Sequence, residues 1–486
     1  MNSIQKITCV FCLVFFLASC VTTGTIAPTP TTPLVPTLTR TLTTTASLAP
    51  LRSPDAIPQV IPDLEGTLYQ LDAVFNINEK TLDVLEIIQY LNSTGEILEE
   101  IMLVVPPNRE EGQFVLKSLT LTEGNTAPEI ILLGEHLTVL LPEPLQPGEG
   151  LILNLNYQLY LPPSAGVFGY TDRQINVCDW YAFMPPYQQP TGWRINPYHP
   201  VGEYLIYDMA DFEVNITLES PDPDLVIAAS AAGETDGQHW NYQLADARTF
   251  VWSASTEYQI LTQADHPEIS LYALPEDVDA GWAALSATIS AMNLYSATFG
   301  KYPHETLSYV EGDFPDGMEY DGLFFVGQEY FQSYTGDEKN YLTAISVHEA
   351  AHQWWFAAVG NDAAMEPWLD ESLATYTELL FYETYYPGNE SWWWDFRVES
   401  FHPTGWVNST VYEYSSYRPY INAVYLRGAQ FIHALRQQMG EEAFWAFLKA
   451  YYQVGQGLIM SGEDFFNLLA QYSTVDLAPI QASYFR

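Results

Sequence analysis

Residues 336–360 read GDEKNYLTAISVHEAAHQWWFAAVG, with apolar residues three to four positions apart and a glycine at the end. This pattern predicts a helix, which we expect to begin at Asp337 and end at Gly360. Three further segments share the pattern, and only one stretch between them, TLSYVEGDF, has the character of a strand. The second half of the chain is therefore predicted to be mostly helical. The three segments are residues 280–300, 367–388 and 424–440.

Two histidines lie on the first of these helices. His348 and His352 are one turn apart on one face, where two neutral imidazoles can occupy adjacent positions around a tetrahedral zinc ion. Glu349 is rotated by about 100° from His348, so its carboxylate lies beside the metal, where a general base for a zinc-bound water is expected. Taken alone, the pattern fits either a zinc site or two histidines that share a helix face by chance.

An acid on the next predicted helix favours the zinc site. A catalytic zinc needs a third protein ligand and an open position for water. Glu371, in WLDESLATYTELL, is separated from His352 by the stretch 353–370 and has apolar neighbours, which is unusual for a solvated helix acid. Glu378 lies two turns further along the same face, where it can accept the second ring proton of a histidine ligand and hold its orientation.

The first half of the chain has a period of two instead. In LILNLNYQLYL, at residues 151–161, apolar and polar side chains alternate, and FEVNITLE at 212–219 repeats the alternation. Turn clusters separate such stretches, which predicts half-buried strands in an antiparallel, sheet-on-sheet domain. We therefore expect an α+β protein with a β-rich domain at residues 59–262 and a helical domain at 263–486.

Composition limits the partners. The 486 residues include 60 acidic and 17 basic side chains, a formal charge of −43, so the molecule repels nucleic acid and anionic lipid headgroups. A solvated acidic surface explains this excess more simply than attraction of cationic peptides does. Cys9, Cys12 and Cys20 all lie near the N-terminus, so Cys178 is expected to be a lone buried thiol.

The N-terminus has the layout of a secretory signal. Residues 1–20 contain one lysine and a short apolar run, which is too short to span a membrane stably. The last four of them, LASC, resemble the bacterial lipobox, which implies lipidation at Cys20 and anchoring outside the cytoplasm in the cell envelope. Ordinary signal cleavage beside a chance cysteine is the alternative. Residues 21–58, rich in Thr and Pro, would form a disordered tether.

These motifs together resemble the gluzincin aminopeptidases typified by aminopeptidase N. The HExxH pattern, the length of the stretch between His352 and Glu371 and the WL-acid-E segment match that family. In addition, PDGMEYDG resembles its G-x-M-E-N motif, with Met318 and Glu319 at the matching positions, and VYLRGAQFI resembles its Y-x-K-G-A segment around Tyr425. The four motifs occur in the family's order over about residues 295–435. The resemblance implies an N-terminal saddle-like β domain followed by a thermolysin-like catalytic domain.

The resemblance also implies a set of metal and proton-transfer roles. His348, His352 and Glu371 would bind one zinc ion per chain. Glu349 would take the proton from the zinc water as it attacks the scissile carbonyl and pass it to the leaving amine. Tyr425 would donate a hydrogen bond to the oxyanion.

Three further residues would bind the peptide substrate. Glu319 would hold the free α-ammonium group by a charge-assisted hydrogen bond, and Met318 and Gly317 would border the substrate beside it. Two departures from the family limit this transfer. Asp316 replaces a glycine and Tyr320 replaces an asparagine, which alters the first subsite. The chain also ends soon after the Tyr-containing segment, so we expect a more open cleft than in the larger relatives.

The expected activity is removal of N-terminal residues from peptides. The alternatives are endopeptidase cleavage by the same chemistry and a catalytically silent binding protein. A metzincin is disfavoured because Trp355 and Ala358 stand where that class needs glycine and histidine. The preferred side chain, the physiological substrate and the oligomeric state do not follow from the sequence.

Overall fold

The computed structural model describes residues 66–121, 127–263 and 267–486. The predicted signal at 1–20, the lipidation site Cys20 and the tether at 21–58 lie outside these ranges. Within them, strands dominate the first half and helices the second, which confirms the α+β class. We find no helix in the described part of the chain with the length and apolar character needed to cross a membrane.

The β-rich half consists of strands in which alternate side chains are buried. In Thr81–Leu91, for example, Leu82, Val84 and Ile88 are buried, whereas Leu85 on the other face is exposed. This is the period-two pattern of a sheet with one face on the core. The strands are β1 Thr67–Asn76, β2 Thr81–Leu91, β3 Leu98–Val104, β4 Phe114–Leu121, β5 Glu129–Leu133, β6 His136–Leu145, β7 Gly150–Tyr160, β8 Phe168–Tyr170, β9 Ile175–Val177, β10 Tyr187–Gln188, β11 Gly192–Trp193, β12 Ala210–Leu218, β13 Val226–Ala229, β14 Gly233–Thr235, β15 His239–Ala247 and β16 Trp252–Ser255.

Three sheets share the core of this half. The largest has seven strands in the order β14-β15-β12-β1-β2-β7-β4, and smaller sheets of four and three strands have the orders β13-β16-β9-β8 and β3-β6-β5. Leu71, Ile101 and Trp252, one from each sheet, belong to one buried apolar cluster. One pair, β1 with β12, is parallel. Alternation of side chains cannot reveal this, because parallel and antiparallel strands share the same period.

The second half contains a five-stranded sheet as well as helices, in the order β17-β18-β19-β21-β20. The sequence indicates one of these strands, β19, as a separate stretch after residue 265. The others are short, and β21 is buried at every position, so it shows no alternation. The elements are β17 Gln259–Gln263, β18 Glu268–Ala273, α1 Val278–Thr298, β19 Thr306–Gly312, β20 Gly317–Tyr320, β21 Leu323–Gly327, α2 Gln328–Gln332, α3 Tyr341–Ala351, α4 Trp368–Tyr385, α5 Glu390–Trp393, α6 Tyr417–Ile421, α7 Arg427–Met439, α8 Glu441–Gly455, α9 Gly462–Tyr472 and α10 Ala478–Tyr484.

The two halves are joined by direct contacts, and the described residues belong to one compact unit. The domain boundary predicted at 262/263 falls within the pairing of β17 with β18. Arg248, buried in the β-rich half, donates from Nε to the carbonyl of Ala357 at 2.8 Å and from Nη2 to that of Leu458 at 2.8 Å. These bonds fix the β-rich half against the loop that follows the histidine helix and against the loop between α8 and α9.

Candidate active site

The histidine helix is shorter than the sequence pattern predicts. The predicted bounds, Asp337 and Gly360, are wrong at both ends, since α3 spans Tyr341–Ala351. Asn340 is the N-cap, and its side chain accepts a hydrogen bond from the backbone N–H of Thr343 at 2.9 Å. Beyond the last residue the chain continues in irregular turns, some tighter and some wider than an α-helix, which the apolar spacing does not distinguish from a helix.

The two histidines point their Nε2 atoms at each other. The distance between His348 Nε2 and His352 Nε2 is 3.1 Å, and both side chains are buried. His352 donates from Nδ1 to the carbonyl of Trp355 at 2.9 Å. Because a carbonyl can only accept, the hydrogen of the neutral ring is on Nδ1 and Nε2 keeps a lone pair. His348 Nδ1 lies 2.9 Å from Glu378 Oε1, so its Nε2 is also free to bind a metal.

Glu371, in the first turn of α4, completes a three-ligand group. Its Oε2 lies 3.4 Å from His348 Nε2 and 3.5 Å from His352 Nε2. This oxygen is buried and has no hydrogen-bond partner among the described residues. A buried carboxylate oxygen without a partner is costly, and two imidazoles with one carboxylate are a donor set that catalytic zinc uses. The residues present therefore fit a zinc ion.

The electrostatics of these ligands also suit a cation. Burial raises the pKa of Glu371, but the imidazoles of His352 and His348 beside it outweigh this effect and hold the pKa at about 2. Burial lowers the pKa of His348, but the carboxylates of Glu371 and Glu378 beside it raise the pKa to about 9. The carboxylates thus favour a positive charge between these ligands. A divalent cation would supply that charge while both imidazoles stay neutral.

Behind His348 lies a buried ion pair. Glu378, fully buried, receives hydrogen bonds from Nε of Arg397 at 2.9 Å to Oε2 and from its Nη2 at 2.9 Å to Oε1. Trp393 Nε1 donates to Oε2 at 3.0 Å. The carboxylate that orients His348 is therefore fixed on both oxygens. Sequence reasoning found Glu378 from its spacing but missed Arg397, for which no motif gives a signal.

Glu349 projects toward strand β20. Its Oε2 is buried and has no hydrogen-bond partner among the described residues, and burial raises its pKa to about 8. A Cβ added at Gly317 would overlap Glu349 Oε1. Glycine at this position is thus required by the close approach of the glutamate, which gives the predicted substrate-bordering residue a packing role as well.

Strand β20 carries the other substrate-binding candidates. Met318 pairs with Phe325 and Glu319 with Phe324 in an antiparallel register, at the edge of the five-stranded sheet. Glu319 is buried, which raises its pKa. Asp316, the first departure from the family motif, has φ of 72°, a left-handed conformation that glycine favours and aspartate tolerates better than most residues. The backbone at Asp316 can therefore adopt the conformation that a glycine would adopt there.

Tyr425 reaches the same group from the other side. Its hydroxyl donates to Glu371 Oε1 at 2.5 Å, and its ring stacks on that of His348 with centroids 6.0 Å apart. A Cβ added at Gly428 would overlap Ser372 Oγ, so this glycine lets α7 approach α4 closely. The close contact of α7 with α4 brings Tyr425 to the metal ligands, and this is a physical reason for the glycine of the VYLRGAQFI segment.

Glu203 is a further acid, one that no sequence pattern singles out. Carboxylate oxygens of Glu203, Glu319 and Glu371 lie within 4.8 Å of one another, and a group of Glu319, Glu349 and His352 is equally compact. The group with two imidazoles is the better zinc site, because the first of these sets offers oxygen only and the second a single nitrogen. Glu203 and Glu319 are then two further carboxyl groups beside this site.

The chain is similar to a known protein family and to known proteins. Residues 283–484 match the model of the peptidase family M1 domain. Aminopeptidase N of Lactococcus lactis subsp. lactis is 28% identical over 218 residues, which are 40% of this chain and 25% of that protein. Endoplasmic reticulum aminopeptidase 2 of Homo sapiens is 29% identical over 127 residues, 25% of this chain and 13% of that protein. The chain thus aligns with a quarter or less of the length of these relatives.

Similarity to a solved structure extends over both halves. The crystal structure of the M1 zinc metallopeptidase from Deinococcus radiodurans has a TM-score of 0.61 to this chain at 20% identity, and the match covers 87% of this chain and 94% of that one. At this identity the likeness establishes the fold, which is the β-rich and helical arrangement described above.

Proposed function

Because residues 283–484 belong to the peptidase M1 family, we propose that this chain is a zinc-dependent peptidase that removes N-terminal residues from peptides. The observation that carries the proposal is the buried group of His348, His352 and Glu371. A base and an amine anchor, Glu349 and Glu319, lie on either side of it. One zinc ion per chain fits this group.

Two side chains are placed to move protons and stabilise charge at the metal. When bound, zinc supplies a Lewis acid that lowers the pKa of water and polarises a carbonyl. Glu349 takes the proton of the attacking water, since its unpartnered Oε2 can accept it, and returns the proton to the leaving amine. Tyr425 holds its hydroxyl at Glu371, from which it can turn to donate to the carbonyl oxygen of the substrate.

The acids on the other side of the metal determine which end of a peptide is accepted. Glu203 and Glu319 carry carboxyl groups that are half-buried and buried, respectively, with oxygens within 4.8 Å of one of Glu371. They suit a free α-ammonium group, which forms charge-assisted hydrogen bonds with carboxylates. An ammonium held there places the first peptide bond at the metal and excludes longer N-terminal extensions.

The solved structures support this choice of substrate. A mutant of the Deinococcus radiodurans enzyme, similar to this chain with a TM-score of 0.61, was crystallised with Tyr-Ser-Ala as a substrate. We take a short peptide with a free N-terminus as the substrate class here too.

The same proposal places the enzyme outside the cytoplasm. The apolar N-terminal run and the LASC sequence ending at Cys20 support secretion and lipid anchoring to the bacterial membrane. Fractionation of membranes after Cys20→Ser is the check: the variant should lose membrane association, and retention of it would contradict the anchor.

A matched pair of peptides tests the function. One peptide has a free N-terminus, the other is identical but acetylated, and both are digested and followed by mass spectrometry. We expect stepwise loss of N-terminal residues from the free peptide and no cleavage of the acetylated one. Undiminished cleavage of the acetylated peptide would establish the endopeptidase alternative, and no cleavage of either by zinc-loaded protein would leave only the silent binding protein.

A further inference from the structure

A cavity of about 200 Å³ opens beside the proposed amine anchor. Its lining includes Met318 and Glu319 of strand β20 and Glu203 of the loop before β12, and the rest comes mostly from the β-rich half. The α-ammonium group and the side chain of the first residue are attached to the same α-carbon. If Glu203 and Glu319 hold the ammonium group, this side chain must therefore lie close to them. The cavity is the enclosed space available to it, so its chemistry selects the side chain; this step rests on the proposed function.

Most of the wall is aromatic or apolar, but Asp179 adds a third carboxyl group to those of Glu203 and Glu319. Asp179 accepts hydrogen bonds from the hydroxyls of Tyr207 at 2.5 Å and Tyr320 at 3.3 Å. Among the residues that the structure describes, none forms an ion pair with it. Burial raises the pKa of Asp179, and the two hydroxyls and the charge of Arg109 only partly offset this. A cation entering the cavity would stabilise the charged form.

Arg109, the cation in the same wall, is already engaged. Its Nη1 lies 3.7 Å from Glu135 Oε1 and donates to the hydroxyl of Tyr204 at 3.1 Å. Its guanidinium group lies over the ring of Tyr198, 4.4 Å from the centroid. Glu135 thus offsets the charge of Arg109, and the three carboxyl groups of the lining outnumber its single guanidinium group. An acidic side chain would meet net repulsion there.

The position of Asp179 in the cavity also suits a substrate with a long side chain. Tyr320 follows Glu319 directly on the edge strand β20, and its hydroxyl reaches Asp179. The carboxylate of Asp179 therefore lies one tyrosine side chain and one hydrogen bond from the backbone of β20, and it lines the same cavity as Glu203 and Glu319. Lysine and arginine have side chains of similar reach, with an apolar stem for the aromatic wall and a charged end for the carboxylate.

From this arrangement we infer that the cavity is a specificity pocket for lysine and arginine, with Asp179 as the residue that binds their charged ends. Asp179 is then a specificity-determining residue rather than part of the proton-transfer machinery. It discriminates among N-terminal residues while the metal ligands and Glu349 act on all of them.

The test compares lysine with norleucine, whose side chain has the same carbon chain without the ammonium group. The kcat/KM values for lysyl and norleucyl p-nitroanilides are measured for the wild type and for Asp179→Asn. Asparagine tolerates the left-handed backbone at this position, where φ is 52°. Asp208→Asn is the matched control, because it removes the same charge from an exposed neighbouring residue outside the cavity.

We expect the wild type to prefer lysine by about tenfold or more, as for a charge-assisted hydrogen bond. Asp179→Asn should lower the lysyl value by a similar factor and leave the norleucyl value nearly unchanged, whereas Asp208→Asn should leave the preference intact. Equal rates for both substrates in the wild type would overturn the inference without any variant. A lysine preference that survives Asp179→Asn, or that Asp208→Asn also removes, would overturn it too.

Calorimetric binding of free L-lysine and L-norleucine to zinc-loaded Glu349→Gln protein separates this inference from the proposed function. Selective lysine binding that an added Asp179→Asn change abolishes, together with no peptide cleavage by the zinc-loaded wild type, would support the pocket and refute the peptidase. Turnover of norleucyl substrates without lysine selectivity in binding or catalysis would support the peptidase and refute the pocket.

Discussion

The two sides of the site are built in different ways. The metal side, His348, His352, Glu371 and Glu378, comes from two packed helices that are neighbours in the chain. The cavity side draws on loops and strands from Pro106 to Tyr417, in both halves of the molecule. Helix geometry fixes the metal side, whereas the docking of the β-rich half against the catalytic half fixes the cavity side. Under the proposed function, the first would determine the chemistry and the second would determine which substrate reaches it.

This division predicts that variants on the metal side lower the rate for every substrate equally. The largest effect is expected from Glu349→Gln, which removes the base but no metal ligand. We expect kcat to fall about 10²–10⁴-fold for lysyl and norleucyl substrates alike, with zinc content unchanged by metal analysis. Full kcat in this variant would disprove the role of Glu349.

Tyr425→Phe tests the other catalytic candidate on the metal side. Loss of one oxyanion donor typically costs about 10²–10³-fold in kcat, and KM should change little. Since Tyr425 also donates to Glu371, zinc content must be measured in the same preparation. A loss of activity that zinc supplementation restores would show that the tyrosine only supports the metal ligand.

Variants on the cavity side should instead separate substrates from one another. Glu319→Gln keeps the shape of the amine anchor but removes its charge, so kcat/KM for free-amine substrates should fall by about 10–100-fold. Any residual cleavage of acetylated peptides should not change. Equal losses on both kinds of substrate, measured by the same mass-spectrometric assay, would argue against amine anchoring.

The smallest effect is expected from a variant of Arg397, which pairs with Glu378 behind the metal ligands. Arg397→Lys keeps the buried positive charge beside Glu378 but loses the bidentate hydrogen bonds to its carboxylate. Glu378 should then orient His348 less firmly. Zinc affinity should fall by about tenfold, in the lower part of the range for groups that orient metal ligands. Competition with a zinc chelator measures this, and unchanged affinity would show that Arg397 serves stability alone.

The metal side could be predicted from the sequence because its information is local. The spacing from His348 to His352 and the separation of His352 from Glu371 are preserved when helices form, and Glu378 follows from the period of α4. The bounds of α3 were not predictable, since apolar spacing continues past Ala351 while the backbone does not remain helical. Asn340 has the residue type of an N-cap, a signal that could have corrected the start.

The cavity side could not be predicted in this way. Asp179, Glu203 and Arg109 lie in separate segments of the β-rich half with no common motif, and only tertiary packing brings them to one cavity. The short strand β20 was equally hidden, because so short a segment with no clear alternation gives no periodic signal. The family motif located Glu319 on this strand, but it gave no indication of the cavity beside Glu319.

Zinc content tests the central claim most directly. Purified wild type and Glu371→Gln, a variant that changes one ligand by a single atom, are saturated with zinc, freed of excess metal and measured by inductively coupled plasma mass spectrometry. The account predicts about one zinc per wild-type chain and a large loss in the variant, in line with three protein ligands for catalytic zinc. No zinc in the wild type, or equal zinc in both proteins, would contradict it.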